Sequence, residues 1–228
     1  MDLILIPGAG GRGWYWHLVT AALRERGHRA VAVELPADDD TQGLTDYARA
    51  VLDAAAGLGT PTTSGPRRVV VVAASLGAFT APLVLSQLQP DAVVLVNPMT
   101  PLPDETPGAW WGSTGAVEAR TARAAREGYP VEFDPGTYLF HDVPASVLAT
   151  VPGKGEQSTR PFADPCRFES WPAATTVVAG RDDRFFPLEF QQRLARERLG
   201  VEPVVVPGGH LVALSRPREL TDAILSLS

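Results

Sequence analysis

Ser75 ends the run Val69-Val70-Val71-Val72-Ala73-Ala74 and precedes Leu76-Gly77-Ala78. A hydroxyl between small residues, where an apolar run meets a helical pattern, has the surroundings of a nucleophile held on a tight strand-to-helix turn. Such a hydroxyl is a weak nucleophile. It needs an imidazole to take its proton and a carboxylate to orient that imidazole and stabilise its charged form. His210 follows Pro207-Gly208-Gly209 after the valine run Val204 to Val206, and Asp182-Asp183 follows Gly180-Arg181 after the apolar run from Thr175 to Ala179. Together these residues could attack a carbonyl, form an acyl-enzyme and release it with water. Taken alone, Ala73-Ala74-Ser75-Leu76-Gly77 departs from the GxSxG pattern by one methyl group, and a small-residue junction without chemistry is the plain alternative.

The elements that must position these groups alternate along the chain. Strands are expected at Leu3 to Ile6, Ala30 to Leu35, Val69 to Ala74, Ala92 to Val96, Thr175 to Ala179 and Val204 to Val206. Continuous apolar runs of this kind belong to strands buried on both faces. Helical spacing predicts helices from near Trp14 to Arg26 with Gly27 as the cap, over Leu44 to Leu58, over Leu76 to Gln87, over Leu188 to Leu199 and from Arg216 or Pro217 to Leu227. Pro82 inside the third of these marks a kink or a shifted boundary. Gly57 to Arg68 reads as a loop. The expected fold class is α/β, a doubly wound, mostly parallel sheet of about six strands.

After the fourth strand the alternation stops. Residues 99–174 hold frequent prolines, helical spacing over Ala116 to Glu127, a short helix within Pro144 to Thr150, and many aromatics, among them Trp110, Trp111 and Phe140. An insertion rich in aromatics is not a disordered linker. We expect a helical cap at residues 99–174 over a core formed by 1–98 and 175–228. Ser75, the acid and His210 then all lie just past carboxyl ends of strands, where open α/β sheets bind ligands.

A rival reading starts at the glycine-rich turn. Gly8-Ala9-Gly10-Gly11-Arg12-Gly13 satisfies the GxGxxG dinucleotide pattern, and Glu34 sits near the expected offset of about 20 residues. Against it, the turn runs into Trp14-Tyr15-Trp16-His17, bulky residues where a cofactor site wants small ones, and the serine turn has no role in that scheme.

Composition narrows the classes further. The chain has 228 residues, 45% hydrophobic and 20% charged, which is ordinary for one globular domain with a sizeable core. A net charge of −6, with the arginines interleaved among acids, argues against a nucleic-acid surface. Cys166 is the sole cysteine, so no intrachain disulfide forms, and it is expected to pack. Metal-ligand spacing is not seen, and neither a metal nor a cofactor is expected. No run reaches membrane-spanning length and no basic leader precedes the first strand, so the expectation is a soluble, cytoplasmic protein with a small-molecule substrate and no membrane partner. Oligomeric state is not legible. His17 and His28 are expected to be structural; His141-Asp142 reads as a pair closing a loop or reaching substrate.

The serine–acid–histidine order, the glycine turn and the inserted cap resemble the α/β-hydrolases. More narrowly, Trp14-Tyr15-Trp16-His17 with Gly27-His28, and Phe190-Gln191 with Gly209-His210, are similar to the plant methylesterase and hydroxynitrile lyase group with its bacterial relatives. The resemblance implies that Asp183, at the family's distance before Phe190-Gln191, is the triad acid and Asp182 a turn residue. It also implies an oxyanion hole made by the backbone N–H groups of Ala9 and Leu76. A substrate pocket is expected around Gly8, Trp110, Trp111 and Phe140, with the two tryptophans either lining it or packing the core of the cap. Relatives usually start the turn with His-Gly where this chain has Pro7-Gly8. The lyases carry a threonine, a cysteine and a lysine where this chain has Gly8, Leu76 and Leu211, so ester hydrolysis is the expected chemistry. The alternatives are a lyase-like enzyme and a non-catalytic small-molecule binder on the same fold.

Overall fold

A computed structural model describes residues 1–59, 68–153 and 155–227. The expected loop from Gly57 to Arg68 lies mostly outside these. Six strands form one sheet: β1 (Asp2–Ile6), β2 (Arg29–Ala32), β3 (Val69–Ala74), β4 (Ala92–Val96), β5 (Thr175–Gly180) and β6 (Val204–Val206). Their order is β2-β1-β3-β4-β5-β6, with every neighbour parallel. The order reverses between β1 and β3, so the chain leaves these adjacent strands in opposite directions and opens a crevice at their carboxyl ends.

The valine strand shows why the sheet reads as continuous apolar runs. Side chains alternate across the pleat. Val71 and Ala73 join Ile4, Ile6, Val93 and Leu95 on one face, against the helix Leu44–Gly57 and the helix Leu188–Leu199. Val70 and Val72 join Leu3, Leu5, Val94 and Val178 on the other, against Trp16, Val19, Leu23, Leu220 and Ile224. Both faces are dry, so no polar residue interrupts β3. Ala73, the departure from the serine motif, is fully buried and pairs in register with Ile6 and Leu95.

Two elements differ from their sequence patterns. The helix expected over Leu76 to Gln87 is broken into the 3-10 segments Ser75–Phe79 and Ala81–Val84 and a single turn at Leu85–Leu88. Pro82 has no N–H to offer a continuous helix, and Gln89 closes the stretch in the left-handed conformation at φ 45°. The second strand ends at Ala32 rather than Leu35, because Leu35 N–H turns to the carbonyl of Gly11 and binds the glycine turn instead.

Among the described residues, 99–174 contain no strand. The helix Ala116–Glu127 lies where its spacing placed it, and a second helix, Pro107–Thr114, carries Trp110 and Trp111. Glu105 anchors this segment to the core by pairing with Arg198, both side chains being almost fully buried. Among the described residues no helix is long and apolar enough to cross a membrane, and no group of three His, Cys, Asp or Glu could hold a metal ion.

Candidate active site

Ser75 occupies the first residue after β3 with φ 49°, a left-handed backbone that costs a non-glycine residue energy. This conformation turns its side chain out of the sheet. Close packing requires its neighbours to be small. A Cβ on Gly77 would lie 2.4 Å from the Pro7 carbonyl, and one on Gly8 would lie 3.0 Å from Ser75 Cβ. The serine turn and the glycine turn are thus pressed together at the crevice between β1 and β3.

His210 and Asp183 meet Ser75 there. Ser75 Oγ lies 3.1 Å from His210 Nε2, and His210 Nδ1 lies 2.8 Å from Asp183 Oδ2. Asp183 is fully buried, so its carboxylate must find donors within the protein. Its Oδ1 accepts from the N–H groups of Phe185 at 2.8 Å and Phe186 at 2.9 Å, and its Oδ2 also accepts from Gln191 Nε2 at 3.2 Å. With three donors fixing the carboxylate, the acceptor beside His210 Nδ1 is constant, and the proton belongs on that nitrogen. Nε2 is left to accept from the serine. Phe185 and Phe186 stand edge-on to the imidazole, each with its ring centroid 5.0 Å away.

Asp182 does different work. Its Oδ2 accepts from Gly208 N–H at 3.1 Å, and its own N–H donates to the Gly208 carbonyl at 2.9 Å. Burial pushes its carboxyl upward, but the Gly208 N–H and Arg181 outweigh this and hold it below the ordinary range. Asp182 thus binds the turn to Gly208, while Asp183 is the carboxylate that reaches His210.

The glycine turn is shaped by contacts within the protein. A Cβ on Gly11 would meet Ala37 Cβ at 2.6 Å and the Leu35 carbonyl at 2.7 Å, and one on Gly13 would meet the Val33 carbonyl at 3.0 Å. Gly11 and Gly13 are thus required by chain packing, and Glu34 is exposed. Gly10 N–H donates to Gln157 Oε1 at 2.9 Å, while Gln157 Nε2 donates to the Tyr47 hydroxyl at 3.1 Å. Among the described residues no protein group accepts from Ala9 N–H. Leu76 lies in the first turn of its 3-10 helix, where backbone N–H groups have no partner within the helix.

The expected pocket residues separate. Gly8 borders Ser75 directly. Trp110 is fully buried, its indole N–H donates to the Thr100 carbonyl at 3.1 Å, and its ring packs on Phe186 and Phe190; its role is packing rather than lining. Trp111 is half-buried against Phe185 and Phe186, the rings that touch His210. Phe140 is 36% exposed. A groove of about 360 Å³ lined by Leu102, Phe168, Trp171 and Arg198 includes none of Ser75, Asp183 or His210.

Three contacts were not foreseen from sequence. Asp142 accepts from Gly209 N–H at 2.7 Å, Gln157 reaches the glycine turn, and Asn97 reaches the histidine loop. Each is a single polar residue whose partner is distant in sequence, and only the His141-Asp142 pair carried a signal, that of a loop closure.

Residues 3–223 match the alpha/beta hydrolase family. The chain belongs to that family. Among curated relatives, 97 residues are 34% identical to the probable esterase PIR7A of Oryza sativa subsp. indica, covering 40% of this chain and 35% of that protein. A stretch of 87 residues is 33% identical to methylesterase 7 of Arabidopsis thaliana, covering 35% and 32%. The chain thus spans about a third of the length of the curated relatives it matches. Among solved structures, the fold is shared with a pyrethroid hydrolase from Sphingobium faniae JZ-2, with TM-score 0.74, 22% identity and coverage of 99% and 96%. It is also shared with the methylesterase MES16 from Arabidopsis, with TM-score 0.72, 16% identity and coverage of 99% and 98%. The likeness to the plant methylesterase group therefore stands in sequence over part of the chain and in fold over nearly all of it.

Proposed function

We propose that this alpha/beta hydrolase cleaves a small, fairly apolar carboxylic ester, lactone or thioester through an acyl-enzyme on Ser75. The observation that carries the reading is the unbroken line from Ser75 Oγ through His210 to a buried, fully hydrogen-bonded Asp183. Names of esterases among the partial relatives support the same reaction class.

In this reading Ser75 attacks the carbonyl carbon as His210 Nε2 takes the hydroxyl proton. Asp183 holds the imidazole and stabilises its cationic form without being protonated itself. The N–H groups of Ala9 and Leu76 stabilise the oxyanion. Collapse of the tetrahedral intermediate passes the proton from His210 to the leaving alkoxide, alcohol or thiol departs, and water, deprotonated by His210, releases the acid. The half-buried ring of Phe185 beside the imidazole, with Trp111 against it, favours an apolar substituent. Leu211 follows the histidine where the lyases carry a lysine to hold the leaving cyanide, which separates this reading from the lyases.

A panel of 4-nitrophenyl esters, lactones and acyl thioesters tests the proposal. Turnover of at least one class that vanishes in Ser75→Ala is expected; equal turnover in that variant would remove the serine from the chemistry.

A further inference from the structure

Every peptide group of the Gly208-Gly209 segment is held before the chain reaches His210. Asp182 takes both the N–H and the carbonyl of Gly208, and Asp142 takes the N–H of Gly209. The two carbonyls that remain, those of Gly209 and His210, both accept from one side chain. Asn97 Nδ2 lies 3.1 Å from the Gly209 carbonyl and 2.9 Å from the His210 carbonyl. Its Oδ1 accepts from Gly180 N–H at 2.7 Å, at the end of β5 where the turn carrying Asp183 begins.

Asn97 is 1% exposed and stands one residue beyond β4 with φ 43°. Few residue types meet these conditions together. Asparagine, aspartate and glycine tolerate the left-handed backbone. Of the three, only asparagine brings two N–H donors for the carbonyls and an oxygen for Gly180. The residue therefore saturates three buried backbone groups that would otherwise be left without partners, and it does so at the point where β4, β5 and the histidine loop converge.

We propose that Asn97 is the positioning residue of this site: its amide locks the loop bearing His210 to the strand end bearing Asp183, fixing the imidazole between carboxylate and serine. The inference rests on the Ser75 reaction proposed above. Asn97 does not touch substrate, so its removal should act on rate and on the imidazole's hydrogen bond rather than on substrate affinity.

The test compares Asn97→Gly, which keeps the backbone relaxed and removes the amide, with Asn97→Asp, which keeps shape and acceptor but loses both donors. With 4-nitrophenyl acetate, kcat should fall about tenfold or more in both variants with KM unchanged, the scale of losing buried hydrogen bonds. The downfield proton signal of His210 Nδ1–H, identified by its loss in His210→Ala, should shift or broaden in both. Gly27→Ala, destabilised at a site remote from the triad, should leave kcat and that signal as in the wild type and so separates positioning from general loss of stability. Should Asn97→Gly fail to fold, the isosteric Asn97→Asp decides alone. A kcat within about twofold of wild type, a loss confined to KM, or an unmoved imidazole signal would each overturn the proposal. A wild type that turns over no ester would instead overturn the hydrolase reading, and the imidazole signal would still decide the role of Asn97.

Discussion

Asp142, in the inserted segment, accepts a hydrogen bond from the N–H of Gly209, the residue before His210, at 2.7 Å. The segment 99–174 therefore bears on the loop of His210 through the backbone and not only through apolar contact. Asp142→Ala should lower kcat/KM for 4-nitrophenyl butyrate about tenfold, the effect expected for one hydrogen bond that orders a reacting group. Asp142→Asn keeps an acceptor oxygen and should recover most of the activity. Equal activity in all three proteins would show that the loop is held without the cap.

The glycines of the site divide by what surrounds them. Gly77→Ala would bring a methyl to 2.4 Å from the Pro7 carbonyl, between two backbones that cannot both give way. The expected result is a loss of about 2 kcal/mol or more in urea unfolding together with loss of activity, as both turns of the site must shift. Gly27→Ala meets open space but sits at φ 80° at a helix end, so it should cost about 1 kcal/mol and leave kcat unchanged. The reverse ranking of the two would contradict the packing described.

Glu105 and Arg198 tie the segment 99–174 to the helix Leu188–Leu199 in a nearly dry setting. Burial pushes the Glu105 carboxyl up, but hydrogen bonds from Arg198, Ser113 and Leu102 outweigh it and hold the group below the ordinary carboxylate range. A carboxyl depressed in the folded state contributes stability above its unfolded value, about 4.3, and loses it as pH falls through the folded value. Glu105→Gln should destabilise the protein by about 3 kcal/mol at pH 7, since it strands a buried guanidinium, and the gap should shrink in acid. Chemical denaturation of both proteins from pH 7 to pH 3 measures this; a gap that widens with acid would reverse the sign.

Cys166 is fully buried, its Sγ–H donates to the Phe79 carbonyl at 3.1 Å, and burial, with Glu105 and Asp104 adding to it, pushes the thiol up to about 12. Only the thiolate reacts with alkylating agents. The native protein should resist iodoacetamide at pH 8 and label promptly in guanidinium, and Cys166→Ala should keep the wild-type kcat. Rapid native labelling would place the thiol at an accessible surface.

The sheet was readable because both its faces are dry: β3 and β4 hold no polar residue, and in β1 and β5 the polar residues stand only at the first positions. Ser75, Asp183 and His210 were readable for a related reason. Ser75 follows directly on β3, and Asp183 and His210 lie in the short turns that leave β5 and β6, so their juxtaposition follows from local order once the strands are known. The choice of Asp183 over Asp182 came from family spacing, since residue type alone does not separate neighbouring aspartates.

What eluded the sequence depends on distant partners. Asn97 before Pro98 looks like any turn residue until its amide is seen between Gly180 and the carbonyls of Gly209 and His210. Gln157 in a polar stretch gives no hint that it caps Gly10 N–H. The broken helix after Ser75 was half visible, through Pro82, but the left-handed stop at Gln89 had no glycine to announce it. Trp110 shows the converse: an aromatic pair suggested a pocket wall, and neighbouring tryptophans on one short helix face different surroundings.

The central claim is that His210 activates Ser75. Treatment with a fluorophosphonate, followed by intact mass and peptide mapping, tests it without knowledge of the substrate. A single adduct on Ser75, lost in His210→Ala and greatly slowed in Asp183→Asn but not in Asp182→Asn, is the predicted result. No adduct on Ser75, or one that forms as fast without His210, would contradict it.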